Sequence, residues 1–358
     1  MKLAPLIAAT ILLTFIQTGI AKPKPAAKPA DPAPATVLAP PRAEPVVSPD
    51  DAARFLAGLP VTGPLEPLTR TTAWLSHAAE FDAAWQRMEA RQLSKVRVWA
   101  HGVPSASALY YFFSGPDFLY ADVLFPDVST YILCAIEPVG GVGNLASLGE
   151  PALATSLGKL RQSLTSMMKF HYFITKELRA DLGNDQIAGT LPLLYVFLAR
   201  GGHTIRSVTP FADGVKIVFG SGIGGTKTLY YYRTDLSNGA NNAAFFDFSK
   251  KHRGAVALLK SASYLLHQPG FSRCRDFLLQ NSSAIVQDDS GIPYRDFSPK
   301  DWNVRLFGAY AGTEGTFAKY SQPELLAAYR GMIPAPLGFA FGYQWQPDKG
   351  TLMIATKR

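Results

Sequence analysis

The chain has 358 residues, with 35 basic and 27 acidic side chains for a formal net charge of +8; 47% of residues are apolar and 17% charged. Such a chain buries a sizeable core, which excludes overall disorder, and two cysteines exclude a disulfide-built scaffold. Lys and Arg are scattered without a basic–aromatic run, which argues against a nucleic-acid platform.

Residues 1–21 read as a secretory signal peptide. Lys2 gives a positive start, residues 3–20 are almost wholly apolar, and Gly19-Ile20-Ala21 puts small residues where a signal peptidase reads. The expected mature start is Lys22 and the expected location periplasmic or secreted; the competing reading is an uncleaved anchor. No later run is long and apolar enough to span a bilayer, so no membrane span is expected after cleavage. In an oxidising compartment Cys134 and Cys274 read either as a disulfide or as two buried thiols.

Nine of the 28 residues 22–49 are Pro and seven are Ala, with no aromatic among them. That composition has nothing to bury and predicts a disordered, extended linker. Residues 50–358 then form a single globular domain, or two intimate lobes.

Within the domain, apolar spacing predicts helices over 74–88, 153–171, 185–200, 255–266 and 272–280. Ser321-Gln322-Pro323-Glu324 has the form of a capping box opening a further helix that stops at Gly331. Short apolar or aromatic runs predict strands at 96–100, 109–113, 131–136, 283–287, 304–310, 338–345 and 352–356, with a meander at 204–211, 215–219 and 228–233. Pro347-Asp348-Lys349-Gly350 reads as the hairpin turn between the last two strands. The interleaving gives an α/β protein, a mixed β-sheet with helices on its faces, with α+β as the alternative.

Two stretches draw attention chemically. In the first, a strand at 109–113 leads into Ser114-Gly115-Pro116-Asp117, a short helix, and a strand ending at Glu137. Nucleotide-binding and methyltransferase-like folds share this layout, with turn glycines at the ligand and an acid on its ribose hydroxyls. One glycine and Pro116 in the turn depart from it, and a bare crossover is the plainer reading. The second is Gln287-Asp288-Asp289-Ser290-Gly291, a polar turn after a strand, with Arg295 nearby. If strands 109–113 and 283–287 run parallel, both turns share one rim, and Asp117 and Asp289 face one pocket with Arg295 available to pair with either.

Other patterns fail on context. The glycines of 220–225 follow a strand but precede another, so no helix N-terminus waits for a phosphate. Histidines lack metal-ligand spacing and no Cys-x-x-Cys occurs, so no metal and no cofactor are expected. The candidate binding residues are Asp117, Glu137, Asp288, Asp289 and Arg295. The reading is an exported protein that binds a ligand or a cell-envelope partner, with an exported hydrolase using an acidic cleft as the alternative.

Overall fold

The computed structural model describes residues 46–173, 182, 186–220, 225–344 and 346–358. The signal segment, most of the linker and the middle of the glycine loop 220–225 lie outside the described residues. Ser48 caps the first helix, α1 (Pro49–Leu56), its hydroxyl accepting from the Asp51 amide. Among the described residues, nine strands make one mixed sheet in the order β10-β11-β9-β8-β1-β2-β7-β6-β5. These are β5 (Thr204–Phe211), β6 (Gly214–Gly220), β7 (Thr226–Arg233), β2 (Thr130–Ala135), β1 (Ala108–Phe112), β8 (Ala255–Leu259), β9 (Ser282–Gln287), β11 (Thr351–Lys357) and β10 (Trp302–Gly308). A separate short ribbon pairs β3 (Gly141–Val142) with β4 (Ile187–Ala188).

Five of the nine strands, β7-β2-β1-β8-β9, are mutually parallel. Numbered along the chain they run 3-2-1-4-5, the order of a doubly wound α/β sheet. The chain turns one way from β1 to β2 and the other way from β1 to β8, so the switch point lies between β1 and β8. β11 runs antiparallel to β9 and β10, and the meander adds β6 and β5 beyond β7.

Helices cover both faces. Leu109, Tyr111, Leu133, Val256, Leu258, Val286 and Ile354 bury one face, and α1, α2 (Thr72–Met88), α4 (Phe118–Leu124), α5 (Glu150–Phe170) and α6 (Leu191–Arg200) supply the same core. Tyr110, Phe112, Ile132, Cys134, Ala257, Leu259 and Ile285 bury the other, with α7 (Ala243–Lys250), α8 (Ser272–Asn281) and α9 (Pro323–Arg330). The alternation along β1 assigns neighbours to opposite cores, as a pleated strand requires. Cys134 and Cys274 are free buried thiols in the second core.

The mixed α/β class expected from the sequence is the one observed, but several elements differ. Residues 255–259, expected to be helical, are β8. A central parallel strand is buried on both faces and reads as an unbroken apolar run, which periodicity cannot tell from a buried helix. Residues 96–100, expected as a strand, belong to α3 (Ser94–Ala100), reached from α2 through a π-turn over Glu89–Leu93. Residues 338–344 make turns and one isolated bridge, so β11 pairs with β10 and β9 rather than closing a hairpin with them. The helix expected over 185–200 is α6, which starts only at Leu191 because β4 precedes it. At α9 the cap is Gln322 rather than Ser321, and the Gln322 side chain is engaged elsewhere, accepting from the Tyr294 amide and donating to the Asp289 carbonyl. No helix among the described residues is long and apolar enough to cross a membrane.

Candidate functional site

The parallel strands release the chain at their carboxyl ends, and a cavity of about 620 Å³ opens there. β1 gives Phe113, Ser114, Gly115 and Asp117; β2 gives Ile136 and Glu137; β7 gives Thr234 and Asp235; β8 gives Lys260, Ser261 and Ser263. Tyr172 and Tyr343 add walls from outside the sheet. This is the rim where open α/β sheets hold ligands.

Asp117 organises the floor. It caps α4, accepting from the Tyr120 amide at 3.2 Å through Oδ1. Oδ2 accepts from the Tyr111 hydroxyl at 2.7 Å and from Lys260 Nζ at 2.9 Å. The Lys260 and Asp117 side chains are 1% and 3% exposed. Lys260 Nζ also stands 4.1 Å from the centre of the Tyr120 ring, on its negative face. Burial, reinforced by the Asp117 charge, drives the Tyr111 and Tyr120 hydroxyls well above the ordinary phenol range, so both stay protonated.

Glu137 differs. Only 4% of it is exposed, and its buried Oε2 has no partner among the described residues. Its backbone carbonyl is fixed by the Tyr231 hydroxyl at 3.0 Å. The Ser261 hydroxyl, on the same lining, is likewise buried and unpartnered. Buried polar atoms without partners are rare enough that each calls for a reason.

Backbone strain gathers here too. The non-glycine residues with positive φ among the described residues are Phe113, His171, Ser261, Ser263 and Tyr264. Three line the cleft, and the other two are chain neighbours of lining residues. Bulky residues hold this conformation only where surrounding contacts impose it. At the β8 end those contacts are visible. Asp288 Oδ2 accepts from the Ser261 amide at 2.9 Å, and Ser290 Oγ accepts from the Ala262 amide at 2.7 Å. Tyr343 donates to the Ser261 carbonyl at 3.0 Å. Gly342, at φ 66°, lets the chain pass the Asp288 carboxylate; a Cβ there would stand 2.0 Å from Oδ2.

β1 and β9 both run parallel to β8, so the turns after β1 and β9 share one rim, as a parallel pairing predicts. The shared pocket is narrower than expected. Asp117 and Glu137 line the cleft, whereas Asp288 stands behind Ser261 and supports the loop. Asp289 accepts from the Tyr264 hydroxyl at 2.7 Å and, with Asp288, borders a separate small recess. Arg295 is a correction: its side chain is 62% exposed and reaches Asp296 at 3.9 Å, not Asp117 or Asp289. Burial and the adjacent Asp288 charge raise the Asp289 carboxyl to about 7; burial raises Asp288 as well.

Lys260 and Ser261, missed in the sequence, had a usable signal. An apolar run of strand length, Ala255-Val256-Ala257-Leu258-Leu259, ends abruptly in Lys-Ser, as strand ends at a cleft do. Tyr111 and Tyr343 had none, since each sits in an aromatic run that reads as core.

A larger cavity of about 870 Å³ lies between α2 and α5, with Arg87, Arg91, Arg161 and Lys169 on its walls. Two of these features recur there at His171, whose Nδ1 is buried and unpartnered among the described residues and whose φ is 69°, while the π-turn forms one side. It is away from the strand ends and has no buried carboxylate on its lining. No group of three or more His, Cys, Asp or Glu able to hold a metal occurs among the described residues. Comparison with family models, curated proteins and solved structures finds no match.

Proposed function

We propose that the protein is an exported binding protein whose ligand, a small molecule carrying neighbouring hydroxyl groups, sits in the cleft at the carboxyl ends of β1, β2, β7 and β8. The observation that carries this reading is Glu137, a buried carboxylate at the end of β2 with one oxygen free. In doubly wound sheets an acid at that place accepts hydrogen bonds from the ribose hydroxyls of the bound ligand. The free Ser261 hydroxyl offers a second polar contact across the cleft. The concentration of strained backbone supports the same assignment, because such strain clusters at ligand clamps.

Binding is favoured over hydrolysis by the arrangement of the acids. Asp117 is held by Tyr111, the Tyr120 amide and Lys260, and Asp288 and Asp289 stand off the cleft, so the described lining does not set two unpaired buried carboxyls side by side for acid–base work. The test is ligand-observed NMR of the full chain with ribose, glucose and adenosine. At least one should bind, and Ile136→Trp should abolish binding without unfolding, since Ile136 lines the cleft yet is half exposed. Binding that survives Ile136→Trp, or no binding by any of the three and none by a hydroxylated organic cation of similar size, would refute the reading. For export, the supporting feature is the Lys2, apolar run and Gly19-Ile20-Ala21 pattern; N-terminal sequencing of protein from the envelope fraction should begin at Lys22, and a retained Met1 would contradict cleavage.

A further inference from the structure

We infer that the ligand of this cleft is an organic cation, held by its charge as well as by its hydroxyl groups. The inference rests on the cleft being the binding site and adds the chemical class of what binds.

Among the described residues, the charged side chains on the lining are Asp117, Glu137, Asp235 and Lys260. Asp117 and Lys260 form a buried ion pair at 2.9 Å and cancel. Glu137 and Asp235 remain, with no Lys or Arg partner among the described ion pairs. Asp235 is solvated at the rim and accepts from the Ser237 amide at 2.8 Å. Glu137 is buried, and a buried carboxylate is costly to hold until a donor or a positive charge reaches it. The nearby His171 does not supply that charge: burial first, and the charge of Lys260 second, push its imidazole down to about 4, so it is neutral at pH 7. Among the described lining residues the uncompensated charge is thus negative, in a chain of net charge +8, where background charge alone would favour anions.

The walls fit the same ligand. Phe113 packs edge-to-face on Phe271 with centroids 6.0 Å apart, and Tyr172 on Tyr343 at 5.1 Å. All four line the cavity. Aromatic faces near uncompensated carboxylates are the arrangement that selects ammonium and other organic cations, because the ring quadrupole and the carboxylate attract the same charge. The free Glu137 oxygen then accepts from a hydroxyl or N–H on the ligand.

The test compares choline with 3,3-dimethylbutan-1-ol, which has the same shape and hydroxyl but no charge, by NMR titration of the full chain. Choline should bind about tenfold more tightly. Glu137→Gln should remove most of that preference, and Tyr172→Leu should weaken choline more than the alcohol, each variant first checked for an unchanged far-UV spectrum. Equal or tighter binding of the alcohol overturns the inference, as does a choline affinity untouched by both substitutions. If neither probe binds while ribose, glucose or adenosine does, the cation assignment fails and the cleft remains the binding site.

Discussion

Lys260 and Asp117 join the ends of β8 and β1 through a 2.9 Å ion pair sealed from solvent. The two strands flank the switch point of the sheet, so this one contact fixes the cleft floor from both sides. Its energetics are asymmetric. An intact buried pair adds little net stability, but removing one partner leaves a naked charge in the interior. Lys260→Met should therefore lower unfolding stability by about 3–5 kcal/mol in urea titrations. The double variant Asp117→Asn with Lys260→Met should recover a large part of that loss. A double variant whose loss equals the sum of the Asp117→Asn and Lys260→Met losses would mean that the pair is not coupled.

The Asp289 carboxyl, raised to about 7 by burial and the neighbouring Asp288, predicts a pH signature. The folded protein keeps a proton on this group at pH values where the unfolded chain has released it. Its stabilising contribution is thus fully present below the ordinary carboxylate range, about pH 4, and is lost as pH rises from there through about 7. Asp288, also raised, acts in the same direction. His77, His171 and His267, lowered to about 4 by burial, act oppositely below the ordinary imidazole range. The difference between Asp289→Asn and wild type isolates the effect. The variant should gain stability relative to wild type as pH rises from about 4 to about 7 and keep that gain above it, measured by melting temperature; a difference independent of pH would refute it.

Ser261 sits at φ 54° with a hydroxyl that has no partner among the described residues. Ser261→Gly relieves the left-handed conformation and removes a buried orphan group. It should stabilise the protein by about 1 kcal/mol, after allowing for the entropy glycine adds to the unfolded chain. Ligand binding should weaken at the same time. A loss of stability would mean that the hydroxyl has a structural partner.

Much of this architecture is legible in the sequence where amphipathic faces exist. The α2 and α5 stripes and the β5–β7 meander pair an apolar face with a polar one, and periodicity reads them; β1 and β2 are buried on both faces and are legible instead from their aromatic and β-branched residues and the turn signals that bound them. Legibility fails where both faces are buried and the run lacks aromatic or bounding turn signals. Residues 255–259 carry no alternation, so the strand was hidden, and Lys260 and Ser261 at its end lost their meaning. Residues 96–100 fail for another reason: five residues with alternating polarity fit either period, and the π-turn that continues α2 into α3 has no sequence mark. At the site, Asp117 and Glu137 are readable because each follows a recognisable strand. Closeness along the chain groups Arg295 with the acids, but the 3₁₀ turn over Tyr294–Asp296 leaves it in solvent beside Asp296.

Hydrogen–deuterium exchange with and without a bound hydroxylated ligand tests the central assignment most directly. Slowed exchange should concentrate in peptides covering 113–117, 135–137 and 260–264, where strained and unsatisfied groups face the cleft. It should disappear in Ile136→Trp. Protection confined to α2 and α5, around Arg87 and Arg161, would place the ligand in the other cavity and contradict the account.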